Sequence, residues 1–68
     1  MDYLYMLVGD GAEWEDIVLF ASEAEAIAAS LKNKKIRVEI FKRDAVGAYR
    51  PTYNYYLNGE LILTNMGL

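Results

Sequence analysis

One capped, amphipathic helix standing alone among strand patterns is the feature that most constrains this chain. Ser22 opens it. A serine at this position can accept a hydrogen bond from the amide of the third helical residue, and Glu25 can reach back, so Ser-x-x-Glu forms a capping box. Ala24, Ile27, Ala28 and Leu31 then recur at i, i+3, i+4 and i+7, which predicts a single buried stripe. Alanines on that stripe would let a sheet approach closely. Glu23 and Glu25 sit at the amino end and Lys32, Lys34 and Lys35 follow the carboxyl end, complementing the helix dipole. Asn33 fits a left-handed C-cap.

The rest of the 68 residues alternates between strand and turn signals. Tyr3–Val8 is apolar at both parities, as in a strand covered on both faces or paired inside a sheet. Gly9-Asp10-Gly11 is a turn, and Trp14–Phe20 is expected to return as the second strand of a hairpin. Ile36, Val38 and Ile40 alternate with Arg37 and Glu39, predicting a third strand over about 36–42. Asp44–Pro51 is expected to be a loop, Thr52–Leu57 a fourth strand, and Glu60–Thr64 a fifth. Asn58-Gly59 between the last two is a two-residue hairpin turn, whose central positions favour positive φ. Asn65–Leu68 should fray. The expected order is ββαβββ in one domain spanning 1–68: an α+β fold of two layers, one helix packed on a mostly antiparallel sheet. One helix cannot cover five strands, so some sheet surface must stay wet or meet a partner.

Composition removes much chemistry. There is no Cys, hence no disulfide, thiolate nucleophile or thiolate metal site, and no His, hence no imidazole base or ligand. Met1-Asp2 lacks the positive start of a secretory leader, and the longest apolar runs, Tyr3–Val8 and Ile17–Ala21, are far below the ~18–20 residues that span a bilayer. A cytoplasmic or nuclear chain with no membrane partner is expected. Asp10, Glu13, Glu15 and Asp16 could in principle seat a divalent cation, but no calcium-loop spacing accompanies them. Gly9-x-Gly11 lacks the further residues of a phosphate loop. No metal, cofactor or catalytic residue is expected, and a sheet this small leaves little room for a substrate-enclosing cleft.

Charge is divided along the chain. Residues 1–31 hold seven acids and no base, while all seven bases, with two acids, lie in 32–50; the tail adds one acid, so the net of −3 conceals a −7 block and a +5 block. The basic block includes Arg37, Lys42, Arg43 and Arg50, close to a run of four tyrosines: Tyr49, Tyr53, Tyr55 and Tyr56. In a strand, Tyr53 and Tyr55 would share a face with Leu57 while Asn54 and Tyr56 took the other. Tyrosines so placed can pack across strands with wet hydroxyls, form a partner-binding face, or stack on bases. The four cations could neutralise phosphates, although the acidic total, the helix-end role of the lysines and the lack of RNP-type or KH-type signatures weigh against it.

Trp14-Glu-Asp-Ile, the helical Ser-x-x-Glu-Ala-Ile, Arg37-Val-Glu-Ile-Phe41 and Pro51-Thr-Tyr-Asn-Tyr-Tyr56 together resemble small proteins encoded by large DNA viruses, over roughly residues 5–60. The resemblance implies a viral origin and a compact βαβ-type unit, and it brings no activity. The expected function is therefore a non-enzymatic interaction domain, forming a homo-oligomer or binding another protein through its Tyr-rich sheet face. The alternative is a single-stranded nucleic-acid-binding module using segment 32–50 and the neighbouring tyrosines.

Overall fold

A computed structural model describes residues 2–64; the expected fraying of Asn65–Leu68 lies outside them. Five strands and one helix follow in the order β1 (Tyr3–Leu7), β2 (Val18–Phe20), α1 (Glu23–Lys32), β3 (Val38–Arg43), β4 (Tyr49–Leu57) and β5 (Glu60–Ile62). This is the expected ββαβββ α+β fold. The sheet order is β2-β1-β3-β4-β5 with every neighbouring pair antiparallel. β1 thus lies inside the sheet, between β2 and β3, which explains its apolar residues at both parities. β2 and β3 run parallel to each other on either side of it, joined by α1.

Side chains alternate across the sheet. Leu7, Tyr5, Val38, Ile40 and Tyr56 point towards α1 and, with Ala26, Phe20 and Ile27, make the core. Ser22 caps the helix as expected, its Oγ accepting from the Glu25 amide at 3.3 Å. The phase of the helix differs from the predicted stripe. Ala26 and Ser30 are fully buried, whereas Ala24, Ala28 and Leu31 are exposed, Leu31 at 49%. The buried line is shifted by one residue, a rotation of about 100°.

Ser30 supplies the reason for the shift. Its hydroxyl donates to the Ile27 carbonyl at 2.8 Å and accepts from the Gly59 amide at 2.8 Å, tying the β4–β5 turn to the helix. Asn58 and Gly59 hold φ of 51° and 82°, the positive values their hairpin turn requires. A Cβ at 59 would also lie 2.7 Å from Cδ2 of the half-exposed Leu31, whose side chain would have to shift. At the helix end Asn33 adopts φ −121°, so it is not a left-handed cap; its side-chain amide donates to the Ala29 carbonyl at 2.8 Å instead.

Two further expectations are corrected. Trp14–Asp16 is a 3-10 turn and not strand, and β2 begins only at Val18. The Glu13 amide donates to Asp16 Oδ2 at 3.1 Å while the Asp16 amide donates to the Glu13 carbonyl at 2.9 Å. Acidic side chains that bond nearby backbone in this way compete with extended structure. The expected loop Asp44–Pro51 is shorter, since β4 begins at Tyr49. Asp44 makes this possible by building the whole turn: Oδ1 accepts from the Val46 and Ala48 amides at 3.0 and 2.9 Å, and Oδ2 accepts from Arg50 Nε at 2.8 Å. Pro51 is tolerated in β4 because β5 pairs only with Tyr55–Leu57 and leaves that stretch an outer edge.

Candidate interaction face

The helix packs on one face of the sheet, and among the described residues no element packs on the other. Strand registers fix what that second face presents. Leu19 on β2 lies beside Met6 on β1, Met6 beside Glu39 on β3, Glu39 beside Tyr55 on β4, and Tyr55 beside Ile62 on β5. This single row crosses all five strands. The next row holds Leu4, Phe41 and Pro51, and the one after it Arg43 and Tyr49. The face is therefore largely apolar across its width, with one carboxylate in the middle and Arg43 at one end.

That carboxylate is neutralised locally. Arg37 forms an ion pair with Glu39, and its guanidinium carbon sits 5.4 Å from the Tyr55 ring centroid. Arg37 thus spans an acid and an aromatic face at once, pairing with one and stacking on the other as a planar guanidinium can. The Glu39 side chain is only 17% exposed although, among the described residues, no strand or helix covers the sheet above it. Met6, Phe41, Tyr55 and Ile62 are likewise half-buried, each shielded by its cross-strand neighbours.

The four tyrosines singled out by sequence do not stay together. Tyr49 and Tyr55 lie on the open face. Tyr53 sits in an irregularity of β4 with φ 69°, where three residues between Pro51 and Tyr55 stand opposite one, Ile40, between Phe41 and Glu39. The Thr52 hydroxyl fastens it by donating to the Ile40 carbonyl at 2.8 Å. Tyr53 is 69% exposed and shares a shallow hollow with Arg37, Tyr55 and Thr64. Tyr56 departs from the set: it is 4% exposed in the core, and its hydroxyl donates to Glu23 Oε2. Burial, then the bond and charge of Glu23, push its phenol well above the ordinary value. It is a packing residue and not part of a partner-binding face.

The four cations also separate. Lys42 and Arg50 are opposite each other on the helix side, Arg50 bonded to Asp44, whereas Arg43 belongs to the open side and Arg37 lies over Tyr55 there. The single basic face that phosphate binding requires is not assembled by Arg37, Lys42, Arg43 and Arg50. Among the described residues no three acidic side chains converge where a metal ion could be held, and no helix is long and apolar enough to cross a membrane.

Sequence reasoning missed Leu4, Met6, Leu19, Phe41 and Ile62 as members of the open face. The signal was present: once Val38 and Ile40 face the helix, Phe41 must face away. It also missed a groove on the helix side, beyond the amino end of α1, of about 410 Å³ between Tyr3, Tyr5, Lys42, Tyr56, Leu61 and Leu63. No family model matches the chain, and no curated protein and no solved structure is detectably similar to it.

Proposed function

We propose that this chain is a small interaction module, with no chemistry of its own, that self-associates by stacking the open faces of two sheets. The observation that carries this reading is the unbroken row Leu19–Met6–Glu39–Tyr55–Ile62, apolar but for one neutralised acid and without a covering layer among the described residues. Two such faces would pack about 10 Å apart in four layers, helix–sheet–sheet–helix. Extents of 32 × 27 × 24 Å accommodate the ~800 Å² per partner of a standard interface. Tyrosine and arginine at its centre are the residue types enriched in interface cores.

Light scattering over a concentration series tests it. The chain should run as a dimer that Phe41→Lys converts to a folded monomer, with the far-ultraviolet circular dichroism unchanged. A strict monomer at the highest attainable concentration would overturn the reading.

A further inference from the structure

We infer that in the self-associated form each copy's Trp14 inserts into a hollow on the other copy, between Ile36, Tyr55 and Leu57 and under the cations of Lys35 and Arg37. This rests on the sheet-face reading and names the anchor that fixes its register.

Trp14 is the only tryptophan of the chain and is 88% exposed, an unusual state for so large an apolar side chain. It is not displayed by a loose loop. The 3-10 turn beneath it is closed by the Glu13–Asp16 bonds and by the Ile17 amide donating to the Trp14 carbonyl at 3.2 Å. With the backbone of the turn held before association, only the Trp14 side chain has freedom to lose on binding, and tryptophan is among the residue types enriched at interface hot spots. The charged residues of its own segment are all acidic, although Asp10 among them lines the hollow beside Lys35. Asp10, Glu13, Glu15 and Asp16 are all exposed, and no base occurs before Lys32.

The hollow has the complementary character. Its volume is about 170 Å³, and since a cavity of about 150 Å³ holds benzene, it has room for the six-membered ring of an indole. Ile36, Tyr55 and Leu57 supply apolar walls, while Lys35, Asp10 and the Glu39-paired Arg37 stand at its edge. Arg37 already lies against one aromatic ring, and an indole arriving above it would meet a second cation–π contact. Tyr55 and Arg37 also belong to the open face, so hollow and face are continuous.

Topology puts the two parts within reach of each other. Leu7 pairs with Val38 and Val38 with Tyr56, so the end of β1, the start of β3 and the end of β4 share one end of the sheet. The Trp14 turn leaves from that end towards the β2 edge, and the hollow lies at the same end between Val8–Asp10 after β1, Lys35–Arg37 before β3, and Tyr55 and Leu57 of β4. A two-fold axis running along β3 between stacked sheets keeps these ends together. It lays the β2 side of one copy over the β4–β5 side of the other, so turn and hollow meet twice, once in each direction.

The single tryptophan is its own probe. Fluorescence and light scattering on the same dilution series should show the emission maximum moving to the blue, and iodide quenching falling, in step with the rise in mass. Trp14→Ala should raise the dimer dissociation constant about tenfold or more. An equimolar mixture of Glu15→Lys and Lys35→Glu should associate more tightly than either variant alone. If mass doubles while Trp14 keeps the emission of an exposed indole, and Trp14→Ala associates like the parent chain, this inference falls and the sheet-face reading stands. If mass never doubles, both fall.

Discussion

The two faces of the sheet are built from adjacent residues of the same strands, yet only one has become a core. On the helix side the row Val18–Leu7–Val38–Tyr56–Leu61 runs across all five strands; on the open side the row one residue over is Leu19–Met6–Glu39–Tyr55–Ile62. Their apolar content is alike. What separates them is the single helix, whose small residues Ala26 and Ser30 come down on Val38 and its neighbours and remove them from water. Even there the cover is partial, leaving Leu61 exposed at the far edge. A ten-residue helix dries the middle of one face and nothing of the other.

Neighbouring substitutions on β3 should break that comparison most directly. Ile40→Ala, on the helix side, is expected to cost about 2–5 kcal/mol in urea unfolding of the dilute protein. Phe41→Ala, one residue on and facing the other way, should cost about 1 kcal/mol there and act mainly by abolishing association. Equal costs in dilute solution would mean the faces do not differ as described. The seam between helix and sheet is sharpened by Gly59→Ala. It forces an L-residue into φ 82° against Leu31 and is expected to lose about 1–2 kcal/mol.

The tyrosines give a smaller contrast. Tyr56→Phe removes the bond to Glu23 and should cost about 1.5 kcal/mol, the low end for a bond to a charged acceptor because Glu23 is exposed. Tyr55→Phe should leave unfolding unchanged, and chemical denaturation of the pair side by side decides between them. The smallest effect lies in the β3–β4 turn, away from both faces. The Arg50 guanidinium, and after it the Ala48 amide, hold the Asp44 carboxyl below its ordinary value of 3.8. A lowered folded value means the unfolded chain takes up the proton first. The contribution of Asp44 is complete above that ordinary value and is lost as pH falls through the folded one. Asp44→Asn should therefore flatten the acid limb of the urea midpoint measured from pH 5 to pH 2 and leave its neutral plateau without that pH dependence.

Legibility in the sequence followed the range of the interactions. The Ser22 cap and the Asn58-Gly59 turn were readable because each is completed within a few residues, and the structure places both where the sequence puts them. The early start of β4 was also local in origin, but its signal was a side chain: one aspartate at 44 bonding two amides and an arginine. The same holds for Trp14–Asp16, where strand-forming residues yield to acids that bond the backbone. Tyr49 and Tyr55 were legible members of the candidate face, and Tyr56 was not. A tyrosine looks the same in sequence whether its ring faces a partner or its own helix.

The five strands and the one α-helix, their chain order and the surplus of sheet over helix were determined by the sequence alone, because alternation, capping and turn chemistry act between near neighbours. Three things were decided only in the folded molecule. β1 took its place between β2 and β3, the helix turned to set Ser30 on the Gly59 amide, and one of two similar faces was left without cover among the described residues. Each depends on contacts between residues far apart in the chain, where burying one apolar face excludes burying the other, and a pattern along the strand is the same for both outcomes.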